Sequence, residues 1–301
     1  MAKARVIIKR RKAVRNIKKI TKVMQMIATS RYQKAYKRAV GTKPYVRKIG
    51  ELVASAVQAV RSEGKALEHP LLQEPATTGA KKTAVLVISS NRGLCGGYNG
   101  NVLRLANATL KDLEAKGDKP ELYVSGKKGI AYFRFLRRTI VQQYSTLGDK
   151  PLFSEIEEVA EKFMKAYEAG EITGLKVVYM RFISAGQQRP AVMDVLPLSG
   201  IASAEMPKGP SGKVIPVPYD FIPSAEGLLE ELIPTVVKIT VFQAFIEAAV
   251  SEQIARMVAM KAATDNADKM GKKLTQEYNR ARQSQITGEL SELMGGVEAM
   301  K

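Results

Sequence analysis

The stretch Ser89-Ser90-Asn91-Arg92-Gly93-Leu94-Cys95-Gly96-Gly97-Tyr98-Asn99 gathers hydroxyls, two amides, a cation, a thiol and three glycines in a short span. It follows an apolar run that reads as a strand and precedes a helical pattern, the place where a phosphate-cradling loop sits. It lacks both the Walker spacing with its terminal Lys-Ser/Thr and the G-x-G-x-x-G of dinucleotide sites. A structural turn or a protein-contact loop is the reading its spacing supports. Ser125-Gly126-Lys127-Lys128-Gly129 also opens a helix after a strand, again without the Walker spacing. Cys95 is the single cysteine, so neither an internal disulfide nor a thiolate zinc site can form, and a reducing compartment fits. The only histidine, His69, lies in a Gly- and Pro-containing linker, and a Cys–His pair would need that linker folded onto the loop. Glu155, Glu157, Glu158 and Glu161 read as a solvated helix face. No catalytic residue, cofactor or metal is expected from these groups.

The strongest chemical signal is charge. The chain carries a formal +19, and its first fifty residues hold seventeen Lys or Arg and no acid before Glu51. Clustered cations neutralise phosphates, which points to nucleic acid. They equally suit a helix held inside a protein cavity with acidic walls. Composition leaves both open. Aromatics are sparse there (Tyr32, Tyr36, Tyr45), and no recognised nucleic-acid module surrounds the arm. The N-terminus has no signal-peptide core and reads as mature protein. No apolar run is expected to reach the roughly eighteen residues needed to span a bilayer.

These groups must be positioned by three kinds of sequence. Residues 1–62 read as a helix with an apolar seam at Val14, Ile17, Thr21, Met24 and Ala28, flanked by Ile20 and Ile27. The seam continues through Ala35 and Ala39. Pro44, next to Gly41, is expected to kink or interrupt the helix. Ile49, Leu52, Val53, Ala56, Val57 and Val60 then resume the pattern. About sixty helical residues would reach roughly 90 Å. Residues 63–82 read as a linker. Residues 83–200 change period: strands are expected at Thr83–Ser89, Glu121–Val124, Thr139–Tyr144, Lys176–Ile183 and Ala191–Leu196. Helices are expected at Asn101–Ala115, Lys127–Arg137 and Ser154–Ala169. Such alternation predicts a small α/β, Rossmann-like domain with a largely parallel sheet. Residues 201–223 form a Gly/Pro/Ser-rich segment to which no role is assigned beyond its last few residues.

Residues 224–301 read as a second long helix, starting in earnest at Pro234. Its apolar positions wander between three and four apart, from Val237 and Val241 through Ala267, Met270 and Leu274 to Leu290 and Val297, as in an imperfect coiled coil. The economical partner is the N-terminal helix, antiparallel to it. The fold class is therefore α/β, with a long antiparallel two-helix coiled coil built from the two termini beside the central domain.

Four motifs carry a resemblance. Ser251-Glu252-Gln253-Ile254-Ala255-Arg256-Met257-Val258-Ala259-Met260-Lys261-Ala262-Ala263-Thr264-Asp265-Asn266-Ala267 and Tyr278-Asn279-Arg280-Ala281-Arg282-Gln283-Ser284-Gln285-Ile286-Thr287-Gly288-Glu289-Leu290 resemble signatures of the gamma subunit of F-type ATP synthases. Ile17-Lys18-Lys19-Ile20-Thr21-Lys22-Val23-Met24-Gln25-Met26-Ile27-Ala28 and the Arg92–Gly97 loop are similar to the same family. The resemblance runs over essentially the whole chain, motifs in order. It implies a central-stalk rotor without catalytic residues. In that family the paired helices enter the alpha–beta hexamer, and the α/β domain and foot meet the c-subunit ring beside the epsilon subunit. The positions it matches to rotor–stator contacts are Met24, Arg256, Gln283 and Thr287. Arg92, Gly93, Leu94, Cys95 and Gly96 match a loop facing the beta lever and epsilon. Tyr219, Asp220 and Phe221 resemble the foot on the c ring. The resemblance further implies no cofactor, no nucleic acid, and a peripheral place on the cytoplasmic face of a bacterial inner membrane. The single cysteine excludes the redox dithiol of chloroplast versions.

Overall fold

The computed structural model describes residues 2–62, 69–73, 81–147, 151–198 and 224–300. By their internal contacts they form two compact units, residues 1–30 with 256–301, and residues 31–255.

The second unit is built on a five-stranded sheet: β1 (Thr83–Ile88), β2 (Glu121–Ser125), β3 (Gln142–Tyr144), β4 (Gly174–Ser184) and β5 (Gln187–Leu196). The spatial order is β3-β2-β1-β4-β5. The first three pairings are parallel, and β4 pairs antiparallel with β5. Strand β1 is central and buried at every residue, as a strand covered on both faces must be. Its alternation sorts the core. Ala84, Leu86 and Ile88 belong to one apolar cluster, and Val85 and Val87 to the other. The first cluster takes up the late part of α1 (Ala2–Ser62) through Val53, Ala56 and Val60, and α4 (Phe153–Glu168) through Ile156 and Phe163. It also takes Ile233, Val237 and Val241 of the last helix, α5 (Ala225–Ala299). The second cluster takes α2 (Tyr98–Ala115) through Val102 and Ala106, and α3 (Lys127–Phe135) through Ile130 and Phe133.

The structure differs from sequence expectation at several points. Helix α1 runs through Pro44 without interruption. Pro44 is exposed and so is Val40, so the carbonyl that loses its helical N–H partner at Val40 faces water. Helix α5 starts at Ala225 and contains Pro234. Its start is set by Ser224, whose Oγ accepts the Gly227 N–H at 3.1 Å, a side-chain cap that outweighs the proline signal. Within Ala225–Val297 one window is long and apolar enough to cross a membrane by length and composition, contrary to expectation. Ile233, Val237, Val241, Ala244 and Ala248 of α5 are buried in the sheet cluster. Strand β3 is shorter than expected, and β4 and β5 are longer because they close a hairpin around Ala185 and Gly186. Pro190 sits in β5 at the sheet edge, the kind of strand in which proline is tolerated. Glu157 and Glu161 are not simply solvated: Lys238 of α5 donates to both, at 2.8 and 2.6 Å. Leu71, within the expected linker, is fully buried in the first cluster.

Candidate functional site

In the first unit the paired segments run antiparallel. As α1 advances from Arg11 to Thr21, its partner on α5 retreats from Tyr278 to Thr264. The Arg11 guanidinium lies 5.0 Å from the Tyr278 ring centroid. A Cβ on Gly271 would touch Val14 at 4.0 Å. Lys18 pairs with Asp268, which also meets Lys272 at 3.4 Å. The Thr264 and Thr21 hydroxyls are 2.8 Å apart and buried. Val14, Ala267 and Leu274 form a small apolar cluster with Ile7 beside it. Val14, Thr21 and Ala28, seven apart, are all buried, which is a heptad seam.

Three residues assigned to that seam or its flank lie outside it. Ile17, Ile20 and Ile27 are about half exposed, at 51, 59 and 49%, and Val23 joins them at 50%. They form a second apolar stripe at three- and four-residue spacing, displayed to the outside among exposed Lys and Arg. On α5, Met270 is also exposed, and from Ile286 to Val297 every residue is exposed, Leu290, Leu293, Met294 and Val297 among them. A helical pair with a satisfied inner seam and a second, uncovered apolar stripe displays more apolar surface than its own packing uses.

In the second unit the Ser89–Asn99 loop is held by its own side chains. Asn99 accepts the Ser90 N–H at 3.1 Å and its amide reaches Cys95 Sγ at 3.2 Å, so the buried thiol is a packing element of the turn. Leu94 and Gly96 adopt left-handed φ values of 62° and 56°. That geometry leaves Arg92 and Leu94 exposed while Cys95 points inward. The neighbouring helix start has no vacant cradle. Lys127 N–H donates to Asn91 Oδ1 at 3.1 Å, Lys128 N–H to the Ser90 carbonyl at 3.1 Å, and Gly129 N–H to Ser89 Oγ at 2.9 Å. These backbone donors, of the kind a phosphate would need, are used inside the fold.

Where α1, the loop, the start of α3 and the exit of β3 meet, a cleft of about 740 Å³ opens. Arg31, Lys34, Lys37, Arg38, Arg92 and Lys127 line it, with Glu155 as the one acid among the described residues. Asn91 ties two of its walls together, donating to the Leu147 carbonyl at 3.0 Å while accepting from Lys127. Helix α5 is anchored to the sheet nearby: Ser251 Oγ donates to the Met180 carbonyl at 3.2 Å, and Glu247 accepts the Phe182 N–H at 3.2 Å. Burial, reinforced by the Glu247 charge, pushes the Tyr179 hydroxyl up to about 12. Among the described residues, no three His, Cys, Asp or Glu side chains gather as metal ligands.

With this geometry in view, comparison with known proteins is decisive. The family described as ATP synthase matches residues 3–300. The ATP synthase gamma chain of Rhodopirellula baltica is 42% identical over 301 residues, covering 100% of both chains. This chain belongs to the ATP synthase gamma chain family. The gamma chain of Saccharopolyspora erythraea is 39% identical, covering 100% of this chain and 98% of its own. A chain of the Euglena gracilis mitochondrial ATP synthase shares the fold with a TM-score of 0.66 at 18% identity, over 99% of this chain and 95% of that one. A chain of the Tetrahymena thermophila mitochondrial ATP synthase central stalk and c ring gives 0.55 at 20% identity, over 81% and 99%. Between the two readings that composition left open for the basic arm, nothing in these likenesses supports nucleic acid.

The gamma-chain positions singled out in the sequence fall into different settings. Gln283 and Thr287 are exposed one turn apart on α5, and Met24 is half buried on α1. Arg256 is buried, at 6% exposure. Arg92, Gly93, Leu94, Cys95 and Gly96 form the clasped loop above. Tyr219, Asp220 and Phe221 lie outside the described residues. Sequence reasoning missed Ser89 and Asn91 as the groups that hold the α3 start, although Ser and Asn at a strand-to-helix turn are the usual donors and acceptors for that task. It also missed the cleft, whose α1 wall was readable from the spacing of Arg31, Lys34 and Arg38.

Proposed function

We propose that this chain is the non-catalytic rotor of an ATP synthase, a shaft whose rotation couples ion flow through a c-subunit ring to chemistry in an alpha–beta hexamer. The observation that carries the reading is the double character of the helical pair. Its inner seam is closed by Val14, Thr21 and Ala28, yet Ile17, Ile20, Val23 and Ile27 remain uncovered, as does the whole Ile286–Val297 stretch. A ring of partner subunits around the pair accounts for that surface. Exposed apolar contacts without fixed polar pairing suit a bearing that must turn, and the surrounding cations suit acidic walls. Gln283 and Thr287 are the exposed polar groups that can engage a surrounding subunit by hydrogen bonds made in some rotational states only, with Met24 and Arg256 beside the shaft's contact region. The Arg92–Gly96 loop faces the acidic beta lever or the epsilon subunit, and Tyr219–Phe221 the c ring. Such a complex places the chain peripherally on the cytoplasmic face of a bacterial inner membrane.

The direct test is rotation. Phe135 is 83% exposed in the second unit while the one native thiol, Cys95, is buried. Phe135→Cys therefore offers a selective attachment point for an optical reporter. On complexes of the chain with surface-fixed alpha and beta subunits, ATP is expected to drive unidirectional turning of the reporter. A reporter that stays still while ATP is hydrolysed would refute the rotor reading.

A further inference from the structure

We propose that the basic cleft of the second unit binds a compact polyphosphate group, either pyrophosphate or the diphosphate portion of a nucleotide. The inference stands on this unit's own geometry and does not depend on the rotor reading.

The cleft has the volume of a small-molecule site, about 740 Å³. Its six cations come from three separate parts of the chain: one face of α1, the Ser89–Asn99 loop, and the first residue of α3. Among the described lining residues the cations outnumber the carboxylates, Glu155 being the one acid. Lys34, Lys37, Arg38 and Lys127 have no carboxylate partner among the described residues, and all four are exposed. Holding like charges around one concavity is unfavourable unless an anion joins them. The hydroxyls of Ser145 and Thr146 add neutral donors at the wall. Ala35, Pro151, Ile246 and Ala249 supply an apolar lining on which the organic part of a nucleotide can rest.

The arrangement favours a compact, multivalent anion over an extended one. The cations converge on one volume from different elements and are not strung along a line. Recognition must come from side chains, because the N–H groups at the α3 start are already taken by Asn91, Ser90 and Ser89. Pyrophosphate places several charged oxygens within one such volume, where Arg and Lys can each contribute charge-assisted bonds.

The experiment is equilibrium dialysis of the purified full chain with pyrophosphate at fixed ionic strength. A parallel arm uses ADP, and another a short glutamate-rich peptide. Saturable binding of one pyrophosphate per chain is expected. Lys34→Ala with Lys127→Ala should weaken it about tenfold, whereas Lys9→Ala with Lys12→Ala, an equal loss of charge elsewhere on α1, should change it by less than about twofold. Arg38→Ala provides a second single-site check and should weaken binding in the same direction. Tighter binding of ADP than of pyrophosphate assigns the nucleotide as the source, and equal binding assigns the bare diphosphate. Unsaturable uptake, equal weakening in the two double variants, or binding of the acidic peptide without pyrophosphate would overturn the proposal.

Discussion

Replacing Gly126 by alanine should damage the α/β unit more than any other single methyl added to a described glycine. Gly126 precedes α3 with φ +94°, in the region L side chains avoid. A Cβ there would stand 2.2 Å from the Ser89 carbonyl oxygen and 2.6 Å from its carbonyl carbon, backbone atoms that cannot swing aside. The conformational penalty is about 1–3 kcal/mol, and overpacking against backbone adds about 1–3 kcal/mol. Together they come to roughly 2–6 kcal/mol, which at about 2–4 °C per kcal/mol for a domain of this size lowers the melting temperature by roughly 4–24 °C. Gly129 meets the same serine, its added Cβ lying 2.6 Å from Ser89 Oγ and 2.9 Å from Val124 Cγ1. Both obstacles are side-chain atoms, and alanine gains about 1 kcal/mol in helix propensity over glycine. The cost at Gly129 should therefore be smaller. Gly41, an exposed position inside α1, has nothing within 4 Å of its added Cβ. Gly41→Ala should raise stability by up to about 1 kcal/mol. Melting of the three purified variants, followed by circular dichroism, gives the ranking. A Gly126→Ala protein that melts like the unaltered chain, or a Gly41→Ala protein that falls below Gly129→Ala, would refute the reasoning.

Two further outcomes follow from side chains on α5. The Glu161 carboxyl is held below its usual value of 4.5, first by the hydrogen bond from Lys238 and then by its charge, and Lys238 is itself raised by Glu157 and Glu161. A depressed acid stabilises the fold above its unfolded value and loses that contribution as pH falls through the folded one; a raised lysine does the reverse at the alkaline end. Lys238→Met should therefore flatten the drop in melting temperature between about pH 5 and pH 3, and an unchanged acid profile would rule the clamp out. On the helical pair, Gln283→Leu should leave assembly with alpha and beta subunits intact and cut steady-state ATP hydrolysis severalfold, the effect of about 1–2 kcal/mol in one catalytic intermediate. Normal turnover in stoichiometric complexes would leave Gln283 as plain helix surface.

The sequence by itself determined what depends on neighbours a few residues away. The run Thr83–Ile88, apolar without polar alternation and bounded by turn residues, is consistent with a buried strand, and the strand is buried at every residue. The seven-residue spacing of Val14, Thr21 and Ala28 requires a partner helix. The missing Walker spacing favours a plain turn at Ser125–Gly129; that the N–H groups there are occupied by Asn91, Ser90 and Ser89 is a fact of the fold. Only the tertiary structure decided what depends on residues far apart in the chain. Ile17, Ile20 and Ile27 fit a helical stripe as well as the true seam does, and the pairing of Thr21 with Thr264, 243 residues away, is what turns them outward. Pro44 reads as a break because local rules count only the lost hydrogen bond, and Pro234 reads as a helix start because proline suits the first turn; exposure at Val40 and the Ser224 cap settle the two outcomes. The antiparallel direction of β5 rests on a two-residue turn at Ala185 and Gly186 that carries no strong turn signature. The basic cleft is the furthest case. Its cations are ordinary surface residues in their own segments, and they become a site because α1, the Ser89–Asn99 loop and α3 bring them to one cavity. Local periodicity records which face of an element is dry, whereas convergence of charge is a property of the assembled fold.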